Sequence, residues 1–445
     1  MIHDARVQPL RPGEAGRRGF VLLWVQASVR VRDNHALEYA VQEASRLDLP
    51  LVAVFGLTPA YPEANARHYL YLLEGLRDLR QGLAERGIPL RVALGTPPEV
   101  ALQAAQEGAA LVVTDVGYVR VAREWRAWLA GRLTVPLVQV ESEAVVPVRV
   151  ASPKLEVGAR TLRPKLHRLW HEYLVPLEPR ELRRTTTDWA LGLDLHSPAA
   201  QVSALPVDHS VPPGAEEGGE HAALELLEDF VTRKLETYHL RRSDPTVDGS
   251  SRLSAALHYG HLSPLTAALA AREHPGPGTD TFLEELIVRR ELSFNLCTYN
   301  PAYDRYEGLP AWARATLEEH AGDPREALYT REELDAAQTH DPYWNAAQRQ
   351  MTRTGRMHNY MRMYWGKKVL EWTPTPQAAY ETLVWLNNRY EQDGRNPNSW
   401  AGLDWVFGQH DRPWARRPVF GMVRSMTAAG LRRKFDADLY ARQWA

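Results

Sequence analysis

Between Trp344 and Trp372 the chain places six basic residues, four of its seven methionines and three tryptophans, with no acid before Glu371. Basic side chains attract polyanions, and indoles carry electrons, so this mixture points to two chemistries sharing one segment. At 3.6 residues per turn, a helix from Ala346 onward sets Arg349, Arg353, Arg356, Tyr360 and Met363 on one stripe and Trp365 and Trp372 on another. Seven residues rise by about 10 Å, which puts these two indoles one above the other, two turns apart. The plainer reading, tryptophans as core filler beneath a solvated basic face, is the commoner one for any single residue here. Gly355 and Gly366 count against an unbroken helix.

Two further stretches carry candidate chemistry. YHLRRSDP (Tyr238 to Pro245) precedes SSRLSAALHYGHLSP (Ser250 to Pro264). Hydroxyls and backbone amides at a turn entering a helix can cradle phosphate without a lysine, although serines at such a place are more often plain N-caps. Arg395 to Lys434 holds eight basic and two acidic residues. The chain as a whole is nearly balanced, at net −2, so any nucleic-acid binding must come from such local patches.

The elements that must position these residues fall into two kinds. In the first third, short apolar runs at Val21 to Val25, Leu51 to Phe55, Leu90 to Leu94, Leu111 to Thr114 and Leu137 to Val140 read as buried strands. Helical patterns lie between them, near Asn34 to Leu47, Ala66 to Arg86, Pro98 to Glu107 and Val121 to Arg132. This alternation predicts an α/β, doubly wound parallel sheet over residues 19–145, behind an N-terminal tail of residues 1–18. Ligands of such sheets sit beyond the carboxyl ends of the strands, and no G-x-G-x-x-G or Walker lysine loop follows the first one. Residues 146–221, rich in Pro, Gly and Ser, read as a long interdomain linker with a short helix near Pro164 to Tyr173. Residues 222–445 are patterned as an all-α domain, with helices at Leu224 to Thr237, Pro264 to Arg272, Phe282 to Leu296, Arg331 to Gln338, Asn345 to Glu371 and Pro376 to Asn388.

At 445 residues the chain has ample core for two or three domains. Its single cysteine, Cys297, leaves no internal disulfide framework and no metal cluster, which points to a reducing, cytoplasmic setting. The first residues have no apolar stretch to act as a signal peptide, and no apolar run is long enough to span a bilayer.

The serine-rich segment resembles the flavin-pyrophosphate motif of the photolyase and cryptochrome superfamily, an S-x-L-S pattern ahead of H-[FY]-G, carried here by Ser251, Leu253, Ser254, His258, Tyr259 and Gly260. Ala255 and Ala256 stand where the family usually has proline and an aromatic. FLEELIVRREL (Phe282 to Leu292), MRMYWGKKVLEW (Met361 to Trp372), WLNNRYEQDGRNPNSWAG (Trp385 to Gly402) and HDRPWARRPVFGMVRSM (His410 to Met426) are similar to class II cyclobutane pyrimidine dimer photolyases. RVRDNHAL (Arg30 to Leu37) resembles the same family's opening motif. In order along almost the whole chain, these blocks imply an antenna-type α/β domain joined to an all-α domain that binds FAD folded into a U.

That resemblance implies light-dependent DNA repair, in which reduced FAD donates an electron to a dimer flipped out of double-stranded DNA. Tyr238, Ser251, Leu253 and Ser254 would hold the cofactor. Arg362 and Asp393 match a buried ion pair beside the flavin ring, for which an ordinary structural salt bridge is the plainer reading, and Asn387 matches the residue facing N5. Glu285 matches the carboxyl that bonds the damaged bases, a role suited to a group whose pKa burial has raised. Trp405 and Met363 match walls of the lesion pocket, and Arg242 and Arg424 match arginines touching lesion or backbone. Arg289 stands where some relatives carry tryptophan, which leaves it substrate contact alone. Arg412 and Trp414 fit a basic and aromatic wedge for the vacated duplex.

Trp365, Trp344 and Trp372, innermost to outermost, match the class II electron-transfer chain that photoreduces the flavin. The basic stripe beside them could face DNA, linker or solvent. The sheet could hold a second chromophore, a deazaflavin or a folate, or nothing. The expected partner is dimer-containing DNA, with no membrane and no obligate protein partner, the protein being a monomer. A cryptochrome-like photoreceptor is the nearest rival, expected to carry a long tail where this chain stops at Ala445. A nucleotide- and nucleic-acid-binding module is a rival of another class, disfavoured by the missing phosphate-loop signatures.

Overall fold

Apolar runs that alternate with amphipathic helices have one economical arrangement, a parallel sheet with both faces covered, because each run buries on two sides. The computed structural model, which describes residues 2–445, has this arrangement. Its sheet comprises β1 (Val7–Arg11), β2 (Phe20–Trp24), β3 (Leu51–Leu57), β4 (Leu90–Leu94), β5 (Ala109–Asp115) and β6 (Leu137–Val140), in the order β1-β6-β5-β2-β3-β4. β2 to β6 run parallel and contain all five expected strands. The winding reverses at β2, which lies between β3 and β5, so a crevice opens at their carboxyl ends.

The expected tail is not a tail. β1 pairs antiparallel with β6 from Val7 to Arg11, and Arg6 is buried with its guanidinium on the carbonyls of Glu141 (3.1 Å) and Ala144 (2.9 Å). VQPLR buries no residue fully and contains a proline, features of an edge strand that hydropathy alone does not reveal. The linker is likewise ordered. Its Leu191 carbonyl and Leu193 N–H bracket Val92 of β4 at 3.0 and 2.8 Å, which covers an open sheet edge. Leu195, Val202 and Leu205 enter the sheet's core.

From Glu220 onward the chain is helical. Two expected helices are not regular. The segment expected to run from Phe282 to Leu296 contains a π-helical turn at Glu284–Arg289, ahead of a helix at Arg290–Tyr299. The single helix expected from Asn345 to Glu371 is two, Pro342–Thr354 and Asn359–Trp372, parted at Gly355, whose φ of 76° ends the first in a left-handed cap. The stripe of arginines and Tyr360 therefore does not exist as one face. Arg353 donates to the carbonyl of Ala445, and Arg356 lies 3.6 Å from linker Glu216. Of the open alternatives for the basic side, DNA, linker or solvent, the linker takes Arg356, while Arg353 goes to the chain's last residue.

Two buried arginines join sheet and helices. Arg30, from the opening motif, pairs with Glu143 at 2.6 Å and donates to the Gly260 carbonyl at 3.1 Å. Arg67 donates to the carbonyls of Pro212 (2.7 Å) and Tyr390 (2.6 Å). Gly260 is required where it stands. Its φ is +70°, and a Cβ there would meet the Ala27 carbonyl oxygen at 1.9 Å. Among the described residues no helix is long and apolar enough to cross a membrane.

Candidate functional site

A cavity of about 350 Å³ runs from the carboxyl ends of β2 and β5 into the helical region. Gln26, Phe55 and Trp125 line its sheet end, and Tyr238, Ser251, Ser254, His258, Glu285, Asp393 and Arg395 line its helical end. The turn that presents the serines is strained. Arg252 has φ of 61° and is held by Asp248 at 2.9 Å, and a non-glycine in this region costs energy that surrounding contacts must offset. Leu253 is buried in the core and does not line the cavity, so it anchors the turn from behind.

Behind the serines lies a charged cluster. Arg362 lies 3.1 Å from Asp393 and 2.9 Å from Glu391, a second carboxylate that the sequence reading missed. Burial works against the charge on Asp393, but Arg362 and the Ser254 hydroxyl outweigh it and hold this carboxyl below its ordinary range. Burial pushes Glu391 up to about 8 despite Arg362. One guanidinium thus serves one charged carboxylate and one that holds a proton readily. Its only sequence signal is the i, i+2 spacing in EQD after a helix end. Arg395, also missed, is buried with φ of 68°, donates to the Asn388 carbonyl and brings a cation to the cavity. Burial, with Arg395 nearby, lowers His258 to about 3, so that side chain is neutral.

Asn387 is buried and spends both amide hydrogens on protein, one on Asn388 Oδ1 at 2.9 Å and one on Ser399 Oγ at 2.6 Å. Its carbonyl oxygen is the group left to offer. Glu285 sits in the π-helical turn, a device that re-aims side chains at functional sites. The sequence reading relied on burial of this carboxyl; Glu285 is a third exposed (33%) and paired with Arg242 at 2.8 Å. Arg289 is exposed, pairs with Glu284 at 3.1 Å and does not line the cavity.

Two aromatic groups lie apart from the cavity lining. Trp344, Trp365 and Trp372 are all buried. Trp344, from the first of the two helices, slots between the other two. Its ring is 6.4 Å from Trp365, nearly parallel at 11°, and 5.9 Å from Trp372 at 65°. Its indole donates to the Trp365 carbonyl at 3.0 Å, and that of Trp365 donates to Gln348 Oε1 at 2.9 Å.

The second group alternates cations with rings. Lys367 Nζ lies 5.3 Å from the Trp405 ring, Arg424 lies 5.8 Å from Trp405 and 5.0 Å from Trp414, and Arg412 lies 5.4 Å from Trp414. This column climbs from wholly buried Lys367 to Trp414, which is 40% exposed, and to exposed Arg412. Burial lowers Lys367 to about 7, and its ammonium caps the Val406 carbonyl. Nothing in the hydropathy pattern marked this lysine. Met363, expected as a second wall of the lesion pocket with Trp405, is half buried.

Solved structures share the fold. A cryptochrome from Synechocystis matches with a TM-score of 0.74 at 19% identity, over 96% of this chain and 88% of that one. An archaeal photolyase from Sulfolobus tokodaii, solved with two FAD molecules, matches with a TM-score of 0.72 at 16% identity, over 96% and 90%. The fold is that of photolyases and cryptochromes. Residues 21–182 match the DNA photolyase family, and a deoxyribodipyrimidine photo-lyase from Methanothermobacter thermautotrophicus is 48% identical over 441 residues, 99% of this chain and 98% of its own. The chain belongs to the deoxyribodipyrimidine photo-lyase family.

Proposed function

We propose that this protein repairs DNA in light, splitting cyclobutane pyrimidine dimers with an electron from reduced FAD. The observation that carries the reading is the cavity's helical end, where two serine hydroxyls, a buried arginine and a neutral histidine meet apolar walls. Those groups suit a pyrophosphate joined to flat rings, and Asn387 suits a flavin edge. Reduced FAD, when bound and excited by light, supplies the electron that opens the cyclobutane ring and accepts it back.

The chain's own residues do the rest. Ser251 and Ser254 bind phosphate oxygens, with Tyr238 closing the wall beside them. Asn387 would offer its free carbonyl oxygen to the edge of the flavin ring. Asp393, kept charged by Arg362, accepts from the flavin's surroundings without itself taking a proton. Glu285 and Arg242, paired at 2.8 Å, part to meet the damaged bases, the carboxyl toward base carbonyls and the guanidinium toward the backbone. Trp405, Met363 and Arg424 receive the flipped dimer. Arg412 and Trp414 fill the gap it leaves in the duplex, and Arg289 makes a peripheral contact with the same strand. Trp365, Trp344 and Trp372 would form the path that supplies electrons to the cofactor, which prepares the enzyme but takes no part in repair.

At its sheet end the same cavity would hold an antenna chromophore, a deazaflavin or a folate, between Phe55 and Trp125. The protein works as a monomer on double-stranded DNA, with residues 7–145 and 222–445 as its two domains and 146–221 as the strap between them.

The test is direct. The purified, chemically reduced protein, illuminated with dimer-containing DNA, restores absorbance at the thymine band. A flavin-bearing protein that leaves the dimers intact overturns the reading, and the spectra of extracted chromophores decide the antenna.

A further inference from the structure

A row of polar side chains runs from the sheet domain to Asn387. The loop of residues 58–65 leaves the carboxyl end of β3, leads into the helix Ala66–Glu85, and touches the end of the helix Pro376–Tyr390 on the way. Exposed Glu63 stands in this loop with φ of 58°, a left-handed conformation that costs a non-glycine residue energy. Its carboxylate accepts from Asn388 Nδ2. Buried Asn388 in turn accepts, through Oδ1, from Asn387 Nδ2 at 2.9 Å and from the Arg395 backbone N–H at 3.2 Å. Asn387 Nδ2 also donates to Ser399 Oγ at 2.6 Å. Asn65 Nδ2 donates to the Arg389 carbonyl at 2.7 Å, which docks the loop independently of Glu63.

A side-chain amide is nearly symmetric in shape but not in polarity, since one end donates and the other accepts. Ser399 cannot decide which end of Asn387 faces it, because a hydroxyl does both. A carboxylate only accepts. Glu63 therefore fixes Asn388 with Nδ2 toward itself and Oδ1 toward Asn387, and that oxygen fixes Asn387 Nδ2 in turn. The end of Asn387 left free is its oxygen. The Arg395 N–H, a donor only, favours the same setting of Asn388 from a longer distance, but the bond to the carboxylate is charge-assisted and the stronger of the two. Bonds linked head to tail in this way polarise one another in the same sense.

We infer that Glu63, acting through Asn388, is a positioning residue for the flavin edge: it sets the resting orientation of Asn387, so that the oxygen and not the amino group is offered to the ring. The inference rests on the reading above in which Asn387 faces the flavin. Reduced flavin carries a proton at an edge nitrogen that is bare in oxidised flavin, so an oxygen beside that edge favours the reduced form and an amino group the oxidised one. An exposed residue of the sheet domain thereby biases the cofactor of the helical domain toward the state that repair uses. Tyr61, Ala64 and His68, which flank Glu63, line the cavity, so the relay starts at the cavity's own wall.

The midpoint potential of the flavin-loaded protein, measured by spectroelectrochemistry, reads this bias. Glu63→Gln keeps an oxygen for Asn388 and is expected to hold the wild-type potential. Glu63→Ala removes the acceptor and lowers the potential. Glu63→Lys, a donor only, turns Asn388 and then Asn387 over and lowers it further. The sign is decisive, because loss of a negative charge near the flavin would by itself raise the potential, and more so in the lysine variant. Each substitute sits at an exposed position and leaves the Asn65 bond in place, so the fold is kept; if the lysine variant loses its flavin, the glutamine and alanine variants carry the test. A rise in potential, equal potentials in wild type and Glu63→Ala, or a glutamine variant that falls as far as the alanine one overturns the relay. Asn387→Ala separates the two readings. If it shifts the potential while the Glu63 variants do not, Asn387 still faces the flavin and only the relay falls. If Asn387→Ala also keeps the wild-type potential, both fall.

Discussion

The helical region builds two arrays of tryptophan in opposite ways. Trp365, Trp344 and Trp372 are sealed from solvent, with Trp344 in contact with each of the other two and no cation between their rings; Lys368, 5.4 Å from the outer ring of Trp372, is paired with Glu371 at 2.6 Å. Trp405 and Trp414 never touch one another directly; Arg424 separates them, with Lys367 below and Arg412 above. A cation beside a ring makes that ring harder to oxidise and turns it into a platform for anions and bases. The same side chain is thus suited to electron transfer in one place and to nucleic acid in the other, and the neighbours decide which.

If this contrast holds, a substitution in one array should leave the readout of the other unchanged. The largest effect is expected from Trp365→Phe, which abolishes photoreduction of oxidised flavin while repair by the chemically reduced protein continues. Loss of that repair would merge the two arrays into one function. Trp414→Ala should weaken binding of dimer-containing duplex by about 1–3 kcal/mol, the usual worth of a base stacked on an aromatic ring, with photoreduction unaltered; titration by fluorescence anisotropy measures it. Arg412→Gln should lower affinity less and reduce the slope of log K against log salt by about 1. An unchanged slope would remove Arg412 from the phosphate contacts.

The smallest effect concerns the column's foot. Lys367 has its folded pKa lowered by burial to about 7 from 10.5. Between those values the unfolded chain binds the proton and the folded one does not, so this residue makes stability rise with pH, by roughly 1 kcal/mol per unit. Glu391, raised to about 8, makes stability fall with pH up to that point. The difference between wild type and Lys367→Met isolates the lysine. Thermal melts from pH 7 to 9 should rise less steeply in the variant, and parallel curves would show that Lys367 stays charged or finds water.

Much of the site was legible because its signals are local. S-x-L-S ahead of H-Y-G marks a turn whose hydroxyls and backbone lie within a few residues, and Ser251 and Ser254 do line the cavity while Leu253 supports them from the core. Arg362 and Asp393 were paired on resemblance and are in contact. Glu391 was missed because a glutamate after a helix end looks solvated until packing closes over it. Lys367 was missed for the same reason, since a lysine beside a second lysine reads as surface. The π-helical turn that aims Glu285 leaves no trace in hydropathy, because one extra residue in a turn shifts the apolar stripe by less than a face.

By itself the sequence determined the five parallel strands, the helical second half and which turn carries the serines. In each, the deciding term is burial of a contiguous run or a short-range turn preference, and both are written within a few residues of where they act. Tertiary structure alone decided that Val7–Arg11 is a strand and that Trp344 fills the gap between Trp365 and Trp372. Those outcomes depend on partners far away in the chain. A ring acquires its electronic neighbours, and a carboxyl its charge state, only when distant segments close around it.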